Sequence, residues 1–217
     1  MKLIYIIFAT LILFSISTLT AQQEYFEYGF KGGVNLSTIS GDTPSSYETR
    51  TSMNIGGYGL YKILPKLGIQ AEFLYSEQGF EDRFPSDQLN DEGLEIDEIK
   101  SLTRLEYVNL PILMSYNLIE QLWLEGGGQI GYLINAEEER ETRFVNTSQQ
   151  LISDTETIGQ TSRYESLDFA LVGGVRYKLN QNFMVQARYT YSINDIDNEL
   201  DGSQYNSVYS FSVGFVF

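Results

Sequence analysis

At the C-terminus, Tyr209, Phe211, Val213, Phe215 and Phe217 alternate with Ser210, Ser212, Gly214 and Val216. A period of two sends successive side chains to opposite faces, so the segment predicts a strand with one aromatic and one small face. Just before it, Phe183, Val185, Ala187, Tyr189, Tyr191 and Ile193 alternate with Met184, Gln186, Arg188, Thr190, Ser192 and Asn194. Leu167, Phe169, Leu171, Gly173, Val175, Tyr177 and Leu179 likewise oppose Asp168, Ala170, Val172, Gly174, Arg176 and Lys178. In the middle of the chain, Leu122, Leu124, Gly126, Gly128, Ile130, Tyr132 and Ile134 oppose Trp123, Glu125, Gly127, Gln129, Gly131 and Asn135. Less regular alternation predicts further strands over residues 27 to 36, 52 to 63, 66 to 78 and 104 to 117, eight in all.

The connections separate a membrane barrel from a soluble one. Short links at residues 64 to 66, 118 to 121 and 179 to 182 alternate with long ones at 37 to 51, 79 to 103, 136 to 166 and 195 to 206. That regular alternation is the pattern of a barrel with short periplasmic turns and long extracellular loops. The four long segments hold 21 of the 29 acidic residues, two, eight, seven and four in chain order, and the apolar register holds almost none. Tyr61, Tyr116, Tyr132, Tyr177, Phe183, Tyr189 and Phe217 fall near strand ends on the apolar register, where an interfacial aromatic girdle belongs. A soluble barrel would turn its apolar face inward, which leaves no place for Lys31, Glu72, Glu125, Arg176 and Arg188 on the opposite register. The expected fold is therefore all-β: an eight-stranded antiparallel up-and-down transmembrane barrel.

The start of the chain carries an address. Lys2 precedes the apolar run LIYIIFATLILF and the small and polar residues around Ala21, the layout of a secretory signal peptide cleaved after residue 21. The mature barrel domain is then residues 22 to 217, with 13 basic and 29 acidic side chains, a formal charge of −16. No later stretch is long and apolar enough for a membrane helix, so insertion has to use strands. Composition closes off several classes. With no Cys and no His there is no disulfide frame, zinc finger, thiol nucleophile or histidine-based triad. So strong an acidic balance opposes nucleic-acid binding, which depends on Lys and Arg.

The segments GFKGGVNLS (residues 29 to 37), LGIQAEFLYSEQGF (67 to 80), EYVNLPILMSY (106 to 116) and the terminal FSVGFVF resemble the PorT-type outer-membrane β-barrel family of Gram-negative bacteria. The likeness spans residues 29 to 217 apart from the long loops. It implies an outer-membrane location among lipid and lipopolysaccharide. It also implies that the C-terminal strand, with Phe211, Phe215 and Phe217, is the signal read by the barrel-insertion machinery. One member of that family is linked to a protein secretion system, and no motif here singles out that member.

The lumen of an eight-stranded barrel is just wide enough for side chains to fill it. Lys31, Glu72, Glu125, Arg176 and Arg188 are therefore expected to form a plug of ion pairs, because an isolated buried charge is costly. A gated channel or small binding cavity is the alternative. Glu72 and Glu125 could in principle do acid–base work, but structural pairing is the stronger reading, and no nucleophile comes with an activator. No cofactor and no enzymatic activity are expected. The segment DIDNELDG (195 to 202) carries Asp195, Asp197, Glu199 and Asp201, yet departs from calcium-loop spacing and reads first as a solvated turn, with a cation shared with lipopolysaccharide as the alternative. Pro111 predicts a bulge or irregularity within its strand. Gly126, Gly127, Gly128 and Gly131 lack the Lys-Ser/Thr of a phosphate loop and point to close packing or curvature. Two functional classes stay open: an interaction barrel whose acidic loops meet an envelope or extracellular partner, and a transport-related barrel, either a narrow channel or a secretion accessory.

Overall fold

The computed structural model describes residues 25 to 42, 47 to 85, 96 to 145, 151 to 197 and 202 to 217. Within them lie nine strands: β1 Phe26–Gly41, β2 Tyr47–Leu64, β3 Leu67–Pro85, β4 Ile96–Ile119, β5 Leu122–Val145, β6 Leu151–Gly159, β7 Leu167–Lys178, β8 Phe183–Ser192 and β9 Gln204–Val216. Eight close into an antiparallel ring in chain order, with β5 paired to β7 and β9 paired back to β1 from Gly29↔Val216 to Gly41↔Gln204. The ninth, β6, continues the sheet from the distal part of β5 and is not part of the ring. The signal peptide expected at residues 1 to 21 lies outside the described residues.

The expected inside-out distribution is present along the ring. Phe30, Ile55, Phe73, Ile112, Leu171, Val213 and their register mates are exposed on the outer wall, where hydrocarbon rather than water receives them. Tight turns join β2 to β3 at Pro65 and Lys66, and β4 to β5 at Glu120 and Gln121. Between β7 and β8, Leu179 N–H donates to the Phe183 carbonyl at 2.9 Å, and the Asn180 side-chain oxygen accepts from the backbone N–H groups of Asn182 and Phe183, both at 2.8 Å, which closes the link. These turns share one end with both termini of the barrel, the periplasmic end of such a fold.

Three segments read from sequence as loops, residues 37 to 51, 79 to 103 and 136 to 166, are largely strand. β4 and β5 have 24 residues each, about 80 Å of extended chain at ~3.3 Å per residue, far more than a bilayer needs. The wall therefore rises well past the membrane on the β3 to β6 side, and Lys100, expected in a loop, lies in β4 opposite Arg83 and Glu141. Ile134 is an extra residue in β5: Tyr107 pairs with Leu133 and Glu106 with Asn135. This bulge reverses the parity, so that Leu133 and then Ala136 and Glu138 are buried. At Pro111 the strand shows the irregularity and not the bulge. The β3–β4 register is identical on both sides, and only the pairs from Glu72 and Phe73 to Pro111 and Leu110 are missing from the ladder. Proline lacks a donor, so the ladder opens locally without shifting.

Candidate functional site in the barrel lumen

Lys31 on β1, Glu72 on β3, Glu125 on β5, Arg176 on β7 and Arg188 on β8 all point inward and are buried, in one connected network. Arg188 is its centre. Its Nη1 and Nη2 donate to the two Glu72 oxygens at 2.7 and 2.5 Å, while Nε and Nη2 reach Glu125 Oε2 at 2.9 and 2.6 Å. The planar guanidinium thus bridges carboxylates from two separate strands, a task that suits its fixed fork of donors. Gly174 makes the crossing possible. It lies between Glu125 and Arg188 in the ladders, and a Cβ there would sit 2.6 Å from both the Ala187 carbonyl and Arg188 Cγ.

Lys31 Nζ lies 2.7 Å from Glu72 Oε2 and donates to Gln186 Oε1 at 2.7 Å. Gln186 in turn donates to Glu125 at 2.8 Å, and Gln70 donates to Glu72. Arg176 lies lower. Its Nε is 3.4 Å from Glu125 Oε1, and its Nη1 donates to Glu27 Oε1 at 2.9 Å. Lys178 also donates to Glu27, and the Arg176 guanidinium packs over Trp123 and Tyr58, 5.2 and 5.7 Å from the ring centroids. Cation–π contact of this kind suits a guanidinium removed from water. Glu27, Lys178, Gln186, Gln70, Trp123 and Tyr58 were not singled out in the sequence. The signal was there: Glu27 shares the parity of Lys31, and Lys178 and Gln186 lie two residues from Arg176 and Arg188.

Above the ion pairs Asn35, Asn54, Ser210 and Ser212 are joined by hydrogen bonds of 2.7 to 3.0 Å. The cavity between these layers is about 30 Å³, room for roughly one or two waters. Higher still, Ile39, Phe80, Leu105, Tyr107 and Leu133 pack with Tyr164 and Ile196, which come from the segments before β7 and after β8. Arg163 holds this cap in place, its Nη2 2.8 Å from Asp197 Oδ2. Burial works against the Arg163 charge, but the hydrogen bond and the attraction of Asp197 outweigh it and hold its pKa above the ordinary value. At the other end the lumen widens into an open mouth of about 540 Å³ lined by Phe26, Glu27, Lys62, Glu120, Lys178 and Phe217 among others.

The other candidates from sequence fall as follows. Phe211, Phe215 and Phe217 are exposed on the outer wall, Phe215 edge-on to Phe183 at 5.4 Å and to Phe217 at 5.1 Å. Tyr28 stacks on Phe217 at 5.3 Å, so these rings form part of an aromatic belt at the turn end. Asp195 accepts from the backbone N–H groups of Asp197 and Gln204, a turn device, and Asp197 is paired with Arg163, while Glu199 and Asp201 lie outside the described residues. Among the described residues no cluster of three or more Asp, Glu, His or Cys is placed to hold a metal ion. Gly127 packs close, since a Cβ there would lie 2.2 Å from the Ile112 carbonyl oxygen.

A closed antiparallel ring, apolar outside and charged inside, with a belt of aromatics, defines an outer-membrane β-barrel. Residues 20 to 198 match the family described as outer membrane protein beta-barrel domain, and the chain belongs to that family. No curated protein matches the sequence. Among solved structures it is similar to Ail, the attachment invasion locus protein of Yersinia pestis, in a complex with the heparin analogue sucrose octasulfate. That match has 15% identity over 89% of this chain and 99% of that one, with a TM-score of 0.44. Neisserial surface protein A is similar at 9% identity, 87% and 96% coverage and a TM-score of 0.36. The outer membrane protease OmpT of Escherichia coli is similar at 11% identity, 89% and 97% coverage and a TM-score of 0.36.

Proposed function

We propose that this is a non-conducting outer-membrane barrel that acts through its acidic extracellular rim, as a structural or interaction protein without enzymatic activity. The observation that carries the reading is the filled lumen: an ion-pair layer, a hydrogen-bonded polar layer and an apolar cap leave a cavity of only about 30 Å³. The chain has no histidine to act as base, and Glu72 and Glu125, the inward carboxylates that could have taken that role, are both held by cations. Export by residues 1 to 21, insertion through the C-terminal phenylalanines and residence beside lipopolysaccharide complete the proposal, in keeping with the likeness to the PorT-type family. The open mouth at the turn end favours one second reading, an accessory of a secretion machine that receives a periplasmic segment there.

Planar-bilayer recording on the refolded protein tests the first reading. The parent protein should show conductance near zero, and steady single-channel steps would replace the plug with a channel.

A further inference from the structure

The ring has no edges, but the sheet that rises above it is open, and β6 forms one of its sides. Among the described residues β6 pairs with β5 alone, through an unbroken register from Glu137↔Gly159 to Val145↔Leu151. β7 begins lower, opposite Tyr132, so no described strand runs along the far side of β6 at that height. Nine residues at ~3.3 Å give an edge of about 30 Å whose outward N–H and C=O groups are available for a ladder.

Natural edges are usually blunted by a proline, a lysine, a bulge or a cover. The sequence LISDTETIG has no proline and no lysine, and its pairing with β5 has no bulge. Ser153, Asp154, Thr155, Glu156 and Thr157 are exposed in succession, so both faces of the strand are open. What guards the edge is negative charge. Asp154 and Glu156 share one face, and Arg140, directly opposite Glu156, turns instead to Glu138 at 2.9 Å. On the other face Glu139 and Glu141 stand one strand in, opposite Thr157 and Thr155.

We infer that the free edge of β6 docks an extended segment of a partner protein with Lys or Arg at alternate positions, which adds to the sheet as its next strand. This rests on the reading of the acidic rim as the interaction surface and names its site and the chemistry of its partner. Main-chain bonds supply the ladder, and alternate cations on the incoming strand meet Asp154 and Glu156 across it. A second copy of this chain does not fit. Antiparallel pairing of two β6 strands centred on Thr155 sets Asp154 of each against Glu156 of the other, and like charges directly opposite are destabilising.

The test uses the full mature protein in nanodiscs and a short synthetic peptide alternating Lys with Thr, with a Glu-for-Lys peptide as the charge control. A third peptide carries an N-methyl group on every residue, which removes the donors of both its edges, so it cannot form a ladder. The Lys peptide should bind and slow amide hydrogen exchange of residues 151 to 159. The N-methyl peptide should bind at least about tenfold more weakly, a difference of ~1.4 kcal/mol. The double variant Asp154→Lys, Glu156→Lys should reverse the preference between the Lys and Glu peptides, and an unchanged unfolding midpoint shows that its barrel is intact. Equal binding of the N-methyl peptide overturns strand addition while leaving the acidic rim as an interaction surface. Absence of any charge preference overturns the choice of partner. Concentration-dependent dimers that protect residues 151 to 159 without peptide overturn it in favour of a second copy. None of these outcomes bears on conductance, so failure here is distinct from failure of the plug.

Discussion

Arg188 concentrates the energetics of the lumen in one side chain. It neutralises Glu72 and Glu125, which are fully shielded from solvent, and it reaches both because Gly174 leaves its stem a path. Replacing it with Met keeps most of the bulk but leaves two carboxylates with only Lys31 and the more distant Arg176. Removing one partner of a well-buried pair costs about 3 to 5 kcal/mol, mostly because the remaining charge stays desolvated. Lys100→Met is the matched control. Lys100 is a partly exposed β4 residue 3.3 Å from Glu81, and such surface pairs contribute about 0 to 1 kcal/mol. Denaturant unfolding in micelles should lower the midpoint far more for Arg188→Met than for Lys100→Met, and equal midpoints would reject the ion-pair layer as a source of stability. Inward parity was enough to name the five charged residues from sequence. It did not say which of them touch, because contacts across a lumen depend on the relative height of strands far apart in the chain.

At the scale of the element, the membrane part of each strand was legible and the extracellular part was not, for a physical reason. Inside the bilayer one face must be apolar, so Leu124, Gly126, Gly128, Ile130 and Tyr132 announce a strand. Above the bilayer both faces meet water, and Glu137 to Arg143 offers no apolar alternation, while the bulge at Ile134 has already inverted the parity. The extension is held instead by polar contacts such as Arg104 to Glu137 at 3.8 Å and by the Glu138 carboxylate. Glu138 accepts from Ser101 on β4 at 2.8 Å, from Arg140 at 2.9 Å and from Gln160 beyond β6 at 3.0 Å. Burial alone would raise its pKa, but those hydrogen bonds and the Arg140 charge outweigh it and hold it below the ordinary glutamate value. A lowered folded pKa means that the carboxylate stabilises the fold at pH above the unfolded value, about 4.3, and that this contribution fades as pH falls through the folded value. Glu138→Gln should therefore destabilise the β4 to β6 extension at pH 7 and flatten the acid-induced rise in its exchange-competent opening. If parent and variant respond identically as the pH drops from neutral into the carboxylate range, the carboxylate is not a tie between these strands.

The whole molecule is polarised along its axis. The turn end carries tight links, the aromatic belt of Tyr28, Phe183, Phe215 and Phe217, and a mouth with Lys62 and Lys178. The opposite end carries the long strand extensions with Glu137, Glu139, Glu141, Asp154 and Glu156. Barrels of this kind keep their short turns on the periplasmic side and their longer segments outside, so the acidic end belongs outside. The chain has no cysteine, so a single introduced thiol reports its own side of the membrane without background. Ser153→Cys, on the exposed arm of β6, should react on intact cells with a membrane-impermeant maleimide. Asn180→Cys, in the turn between β7 and β8, should react only after the outer membrane is permeabilised. Both sites lie in water on either side of the same wall and off the lipid-facing register. Because Asn180→Cys gives up the side-chain acceptor of its turn, an unchanged unfolding midpoint is the control by which its labelling reads orientation rather than folding. Labelling of Asn180→Cys from outside, with Ser153→Cys protected, would invert the barrel and move the acidic rim and the free edge of β6 into the periplasm.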